Sequence, residues 1–297
     1  MNIFSYAFMQ HALIGAAITG LTAPALGIYL VQRRLSLIGD GIGHVALTGV
    51  GVGLLVAAGQ PRPEQQRSAI LWAVIIAALG ATAVELIRQR SRTSGDIALA
   101  ILFYGGISGG VFLIALSKTN ANLSSYLFGS PLTITTSDLW TMVILGAVVL
   151  AVGLGLRPWL FAICQDEEYA TVAGLPVRTL NLVLAITTAV MVTTAMRAVG
   201  LLLVSALMVV PVAAAQLVTR GFGSTMGLAM VFGLVSGVAG IVISGPTDTA
   251  PGATVVLVAI ALFIIVAVCS AIVRSARRRR GGQLPAECEP PEVVLTR

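Results

Sequence analysis

The chain has 297 residues, of which 57% are hydrophobic and 10% charged, with a net charge of +6; its mean hydropathy is +0.96. A soluble domain carries about 25% charged residues, so this chain has too little polar surface to cover a water-soluble globule. The class that remains is an integral membrane protein. Its apolar runs approach the roughly 20 residues that a membrane-crossing helix needs, not the alternating segments of about ten of a transmembrane barrel.

Nine apolar segments follow along the chain, near 8–32, 41–58, 68–87, 97–117, 138–156, 179–196, 200–218, 222–244 and 252–273. They predict an all-α, polytopic helix bundle. The sixth and seventh are parted only by Arg197 and Gly200, so eight spans is the alternative reading. Pro24 and Pro211 fall inside segments and predict kinks or broken helices, which membranes tolerate where protein covers the freed backbone groups. The N-terminus, MNIFSYAFMQ, lacks the basic stretch of a cleaved signal peptide and reads as mature chain. Cys164, Cys269 and Cys288 show no CxxC spacing, which argues against a zinc finger or a disulfide framework.

The basic residues set the orientation. With nine spans, fourteen of the eighteen Lys and Arg fall on one side: Arg33, Arg34, Arg88, Arg90, Arg92, Arg157, Arg178, Arg220 and the tail from Arg274. The positive-inside rule makes that side cytoplasmic, with the C-terminus inside and the N-terminus outside. The excess of basic residues is thus a topology signal, and no nucleic-acid partner is expected. Residues 1–273 form the transmembrane domain. The tail, RSARRRRGGQLPAECEPPEVVLTR over 274–297, has the composition of a disordered cytoplasmic extension. Its Arg277–Arg280 run suits contact with anionic membrane lipid.

The longest polar interruption on the cytoplasmic side is RPWLFAICQDEEYATVAGLPVR, 157–178. Asp166, Glu167 and Glu168 fit a helix start, because acids favour the positive end of the helix dipole. Gly174, with Pro176 two residues on, fits its stop. A short helix between two spans is either an interfacial loop helix or a docking helix for a soluble partner.

The stretch LSLIGDGIGHVALTGVGVGLL, 35–55, holds an acid and an imidazole in an otherwise small and apolar run. Asp40 and His44 are four residues apart, so on a helix they share one face. With the helix starting near Ser36, His44 lies about 12 Å in, approaching the midplane. A charged group there costs about 3 kcal/mol on insertion scales and normally faces a bundle interior or a pathway. A carboxylate oxygen and an imidazole nitrogen suit a divalent transition metal. Two ligands do not close a site, but a twofold homodimer supplies two of each. The glycines from Gly39 to Gly53 let helices approach closely enough for this. The competing reading is a packing pair, in which His44 donates to Asp40 and neither meets a ligand.

Other polar groups read as structural. His11 is an interfacial or hydrogen-bonded histidine. Glu85 and Asp96 pair with the Arg88–Arg92 loop, and Asp248 belongs to a turn. NLSSYLFGSPLT, with Ser124, Ser130 and Pro131, is a turn-rich outer segment, in part re-entrant. The single lysine, Lys118, is in no GxxxxGK[ST] loop, so the chain has no phosphate-binding loop of its own. HExxH is absent as well, and no catalytic residue is assigned. Energy has to come from a partner or from an ion gradient.

RRLSLIGDGIGHVALTGVGVGLL resembles the signature of the ABC-3 family, the zinc and manganese permeases of bacterial ABC importers. The resemblance extends to SSYLFGSPLTITTSDL, GLLLVSALMVVPVAAAQL and DTAPGATVVL, in that order, over roughly residues 8–270. It implies a type II ABC importer-like permease of the bacterial inner membrane. It further implies a homodimer bound to two cytoplasmic ATPase subunits, with an extracytoplasmic metal-binding protein delivering the ion. On this resemblance Asp40 and His44 are the intramembrane metal site. The 166–176 segment is the coupling helix that docks the ATPase, with Glu168, Ala170 and Gly174 in an E-x-A-x-x-x-G pattern. ATP is held by the partner subunits only, the chain is not itself an enzyme, and no cofactor is permanently bound. Zinc is the first expectation for the cargo because imidazole suits it, with manganese or ferrous iron as alternatives. Two rivals are a gradient-driven cation transporter and an ABC permease for a metal chelate. His11 matches no family ligand, and the tail after Arg274 is outside the pattern.

Overall fold

The computed structural model describes residues 7–90, 95–117, 123–129, 135–247 and 249–281. Among these the chain is entirely helical. In order the helices are α1 (Ala7–Gln32), α2 (Ile38–Val56), α3 (Arg62–Arg90), α4 (Gly95–Leu116), α5 (Leu123–Phe128), α6 (Thr136–Gly155), α7 (Arg157–Gln165), α8 (Glu167–Val172), α9 (Val177–Val199), α10 (Leu201–Gln216), α11 (Phe222–Thr247) and α12 (Pro251–Gly281). Eight of them are long and apolar enough to cross a membrane.

The ambiguity between eight and nine spans has a physical origin at Gly200. The backbone there takes φ +94°, a conformation open to glycine, and it separates α9 from α10. α10 has only 16 residues, so it is short of a full crossing by itself. The break lies at this glycine and not at the prolines: α1 runs through Pro24 and α10 through Pro211 as continuous helices.

α1, α2 and α9 carry the most buried spans, while α4 and α12 are mostly exposed. Small residues set this order. A side chain at Gly27 of α1 would collide with the Met208 backbone of α10, so the two helices touch backbone to backbone. The outward faces of α4, α6 and α12 are apolar, with Phe112, Trp140 and Ile265 exposed, as lipid contact requires. α6 opens with a capping box, in which the Thr135 hydroxyl accepts from Asp138 N–H and the Asp138 carboxylate from Thr135 N–H.

One expectation needs correction. The tail does not begin at Arg274, because α12 continues through 274–281 to Gly281. Ala and Arg are good helix formers, and cationic side chains suit a helix C-terminus. Arg274 also donates from Nη2 to the Leu217 carbonyl at 3.0 Å, capping the end of α10. The 157–178 interruption holds the short helix expected to start at Asp166 and stop at Gly174, as α8, and a further one, α7, ahead of it.

The turn-rich outer segment contains α5, which ends at Gly129 with φ +78°. A Cβ at Gly129 would lie 2.6 Å from the Val199 carbonyl carbon, so α5 is seated against the α9–α10 break. The pairings expected of Asp96 and the Arg88–Arg92 loop, the turn at Asp248, and Lys118, Ser130 and Pro131 rest on side chains or residues outside the described set. The tail beyond Gly281 does too.

Candidate functional site

The site is built on the elbow between α1 and α2. Arg33 N–H donates to the Tyr29 carbonyl at 3.2 Å and Leu35 N–H to the Leu30 carbonyl at 2.8 Å, while Arg34 takes φ +58°. This is a helix stop with a left-handed residue, in which arginine stands where glycine is usual. The strain is about 1–2 kcal/mol for a residue with a Cβ, so the surrounding packing must hold the elbow. α2 begins four residues after Arg34, with Asp40 in its first turn, where the helix dipole favours a carboxylate.

Asp40 and His44 project together as their spacing predicts, with Asp40 Oδ2 and His44 Nε2 3.9 Å apart. That is too long for a hydrogen bond, so the bond that a packing pair would need is not formed. Asp40 Oδ1 instead accepts from Ser205 Oγ of α10 at 3.1 Å. His44 is 2% exposed and neither ring nitrogen has a hydrogen-bond partner. Each such orphan costs about 1–3 kcal/mol, which the fold bears without an internal return. Asp40 keeps 23% of its side chain exposed, so the pair is reachable. Two donors on one tetrahedral ion, each about 2.1 Å from it, stand about 3.4 Å apart. A shift of about half an ångström would let both ligate the same cation.

The walls around the pair are close. Phe103 of α4 meets the imidazole edge to face, with centroids 4.2 Å apart. Gly106, the next turn of α4, presses on the His44 backbone, where a Cβ would lie 2.6 Å from the carbonyl carbon. Gly106 is midway along α4, so His44 lies at mid-helix depth beside α4 although it is only the seventh residue of α2. No third His, Cys, Asp or Glu among the described residues joins the pair, so the chain by itself brings only two candidate donors together.

In the 166–176 segment, the Asp166 carboxylate caps α8, accepting from the N–H groups of Glu168 and Tyr169, each at 2.9 Å. Gly174 ends it with φ +81°, and Leu175 N–H returns to the Ala170 carbonyl at 3.0 Å. Of the three residues singled out in the sequence, Glu168 is exposed, Ala170 is 1% exposed and seats α8 on the bundle, and Gly174 shapes the stop. The side chains presented outward are Tyr169 and Val172, 70% and 87% exposed. Beside the helix, burial pushes the Cys164 thiol up to about 11, with Arg33 opposing and Glu167 adding to that rise.

Sequence reading missed Ser205, Phe103 and the partners of Glu167. Ser205 had a faint signal as the lone hydroxyl in LLLVSALMVV. Phe103 had none, since an aromatic residue in an apolar run is unremarked. Arg33 was read only as a topology charge, yet it is 2.8 Å from the Glu167 carboxylate.

Comparison with known proteins agrees with this architecture. The model of the ABC 3 transport family matches residues 5–270. The manganese transport system membrane protein MntC of Halalkalibacterium halodurans is 33% identical over 266 residues, covering 89% of this chain and 88% of that protein. The chelated iron transport system membrane protein YfeD of Yersinia pestis is 30% identical over 291 residues, covering 98% and 95%. The structure of PsaBC from Streptococcus pneumoniae in complex with Fab aligns with a TM-score of 0.77 at 29% identity, over 88% of this chain and 91% of that one. The chain therefore belongs to the ABC 3 transport family.

Proposed function

We propose that this chain is the membrane-spanning permease subunit of an ATP-driven importer of divalent transition metal ions in a bacterial cytoplasmic membrane. The observation that carries the reading is His44, buried with both nitrogens unpartnered and facing the Asp40 carboxylate. A second copy related by a twofold axis supplies a second Asp40 and His44, giving an N2O2 set for the passing ion. The ion is cargo, held transiently. α8 presents Tyr169 and Val172 to a cytoplasmic ATPase subunit, one on each protomer. Nucleotide chemistry takes place in those partners, and a binding protein outside the membrane delivers the metal.

Zinc stood first on imidazole chemistry alone. The two curated relatives above are named for manganese and for chelated iron, and a carboxylate beside a single imidazole suits manganese well. These considerations support manganese ahead of zinc. The test is uptake of manganese into liposomes holding the permease with its ATPase subunits, with zinc and ferrous iron as competitors. Uptake should require ATP and be lost in Asp40→Ala and His44→Ala while the complex still assembles. Uptake by the permease alone, without ATP, would replace this reading with a gradient-driven transporter, and normal uptake in both variants would remove the site.

A further inference from the structure

A closed ring of hydrogen bonds ties the docking segment to the metal-site elbow. Arg33 Nη1 donates to Asn181 Oδ1 at 2.7 Å, Arg33 Nη2 to Glu167 Oε2 at 2.8 Å, and Asn181 Nδ2 to Glu167 Oε1 at 2.9 Å. Each side chain bonds both others, so the Asn181 amide has only one orientation that satisfies its two partners. The Arg33 side chain is 7% exposed and Asn181 is 3% exposed. The Glu167 side chain is 43% exposed, but the arginine, kept from solvent and met by two planar partners, is held in one geometry.

The members come from three separate elements. Glu167 is the first residue of α8, Asn181 lies in the second turn of α9, and Arg33 is the first residue beyond α1. Arg33 is also inside the stiff elbow, bonded through its own N–H to Tyr29 and followed by the strained Arg34. From there Ile38 N–H bonds the Leu35 carbonyl at 3.0 Å and Gly41 N–H the Leu37 carbonyl at 3.1 Å, which carries the hydrogen-bonded chain into the turn that holds Asp40. Apolar packing between α8 and the elbow would let one slide over the other. A directional polar ring does not.

We infer that Arg33, Glu167 and Asn181 are positioning residues that transmit displacement of α8 to the first turn of α2, and so set the geometry of the Asp40–His44 pair. This rests on the functional reading above. In this arrangement ATP-driven movement of the docking helix pulls on Glu167, the ring passes the pull to Arg33, and the rigid elbow rotates the start of α2. The two metal ligands then move together, because they share one helix face.

The test uses the whole transporter in liposomes, with manganese as the probe, and reads ATP hydrolysis and uptake in the same vesicles. Uptake per ATP should fall about tenfold in Arg33→Gln and in Glu167→Gln, within the usual range of coupling between sites. Arg33→Lys, which keeps the charge but loses the fork, should fall less. The reversed pair Arg33→Glu with Glu167→Arg should recover part of the loss. A second measurement, hydrogen exchange over residues 35–43 upon adding a non-hydrolysable ATP analogue, should change in wild type and not in Glu167→Gln. Unchanged uptake per ATP in both glutamine variants overturns the proposal. So does an equal loss of hydrolysis and uptake, which is the signature of a plain structural clamp. Wild-type vesicles that take up no manganese would sink the cargo assignment, whereas identical exchange in wild type and Glu167→Gln would sink the link.

Discussion

Replacing His44 with leucine separates a ligand from a structural polar pair. Both imidazole nitrogens lack a partner, and the nearest candidate, Asp40 Oδ2, is 3.9 Å away. In any protonation form both nitrogens want a donor or acceptor, and each buried orphan costs about 1–3 kcal/mol. Leucine removes both at similar volume. It forfeits the edge contact with Phe103 at 4.2 Å, a contact worth about 0.5–1.5 kcal/mol. The two orphans together cost about 2–6 kcal/mol, so the balance is a gain of about 0.5–5.5 kcal/mol, or roughly 2 °C in Tm for each kcal/mol in a chain of this size. Thermal unfolding of the purified protein in detergent measures the first half of the prediction, and manganese uptake by the reconstituted complex the second. His44→Leu should be more stable than wild type and inactive in transport. A melting temperature below wild type would refute the reasoning, since it would mean that the fold depends on an interaction of the imidazole.

Gly106→Ala and Gly105→Ala should diverge in sign. Helix propensity favours alanine by about 1 kcal/mol at each, but the new Cβ at 106 would lie 2.6 Å from the backbone of α2 and at 105 would meet nothing within 4 Å. Gly106→Ala should therefore lower Tm through about 1–3 kcal/mol of overpacking and Gly105→Ala should not; equal effects would contradict the α2–α4 contact. Ala170→Glu places a carboxylate under α8 at a site 1% exposed, so the ATPase subunits should no longer co-purify with a permease that still folds; undiminished co-purification would count against α8 as the dock. Cys164, pushed up to about 11 by burial, should label with maleimide, in a Cys269→Ser, Cys288→Ser background, at a rate still rising about tenfold per pH unit near pH 9, where an ordinary thiol levels off. With the folded value raised, its contribution to stability is complete below about pH 9 and is lost as pH climbs through about 11; a plateau near 9 would show the thiol to be solvated.

The sequence made the helices and several of their ends legible because those depend on local chemistry. Asp166 caps α8 and Gly174 stops it where composition said they should. The tail was misjudged for a related reason: Pro, Gly and charge dominate the composition after Arg274, but its first residues are helix formers continuing an established helix. The α7–α8 division was not legible, since WLFAIC reads equally as a span end or a short helix.

The pairing of an acid with an imidazole on one face of α2 was fixed by the sequence, because four residues make one turn of any α-helix. So was the membrane class, because too few polar residues exist to face water. What the tertiary structure alone decided was who meets whom across the chain. Ser205 reaches Asp40 over 165 residues, and Arg33 reaches Glu167 over 134. Such contacts follow from how backbones approach at Gly27, Gly106 and Gly200, and close approach between distant segments leaves no periodic trace in the residues that make it. The burial that leaves His44 without a hydrogen bond belongs to that same level, because only packing decides which polar groups lose water.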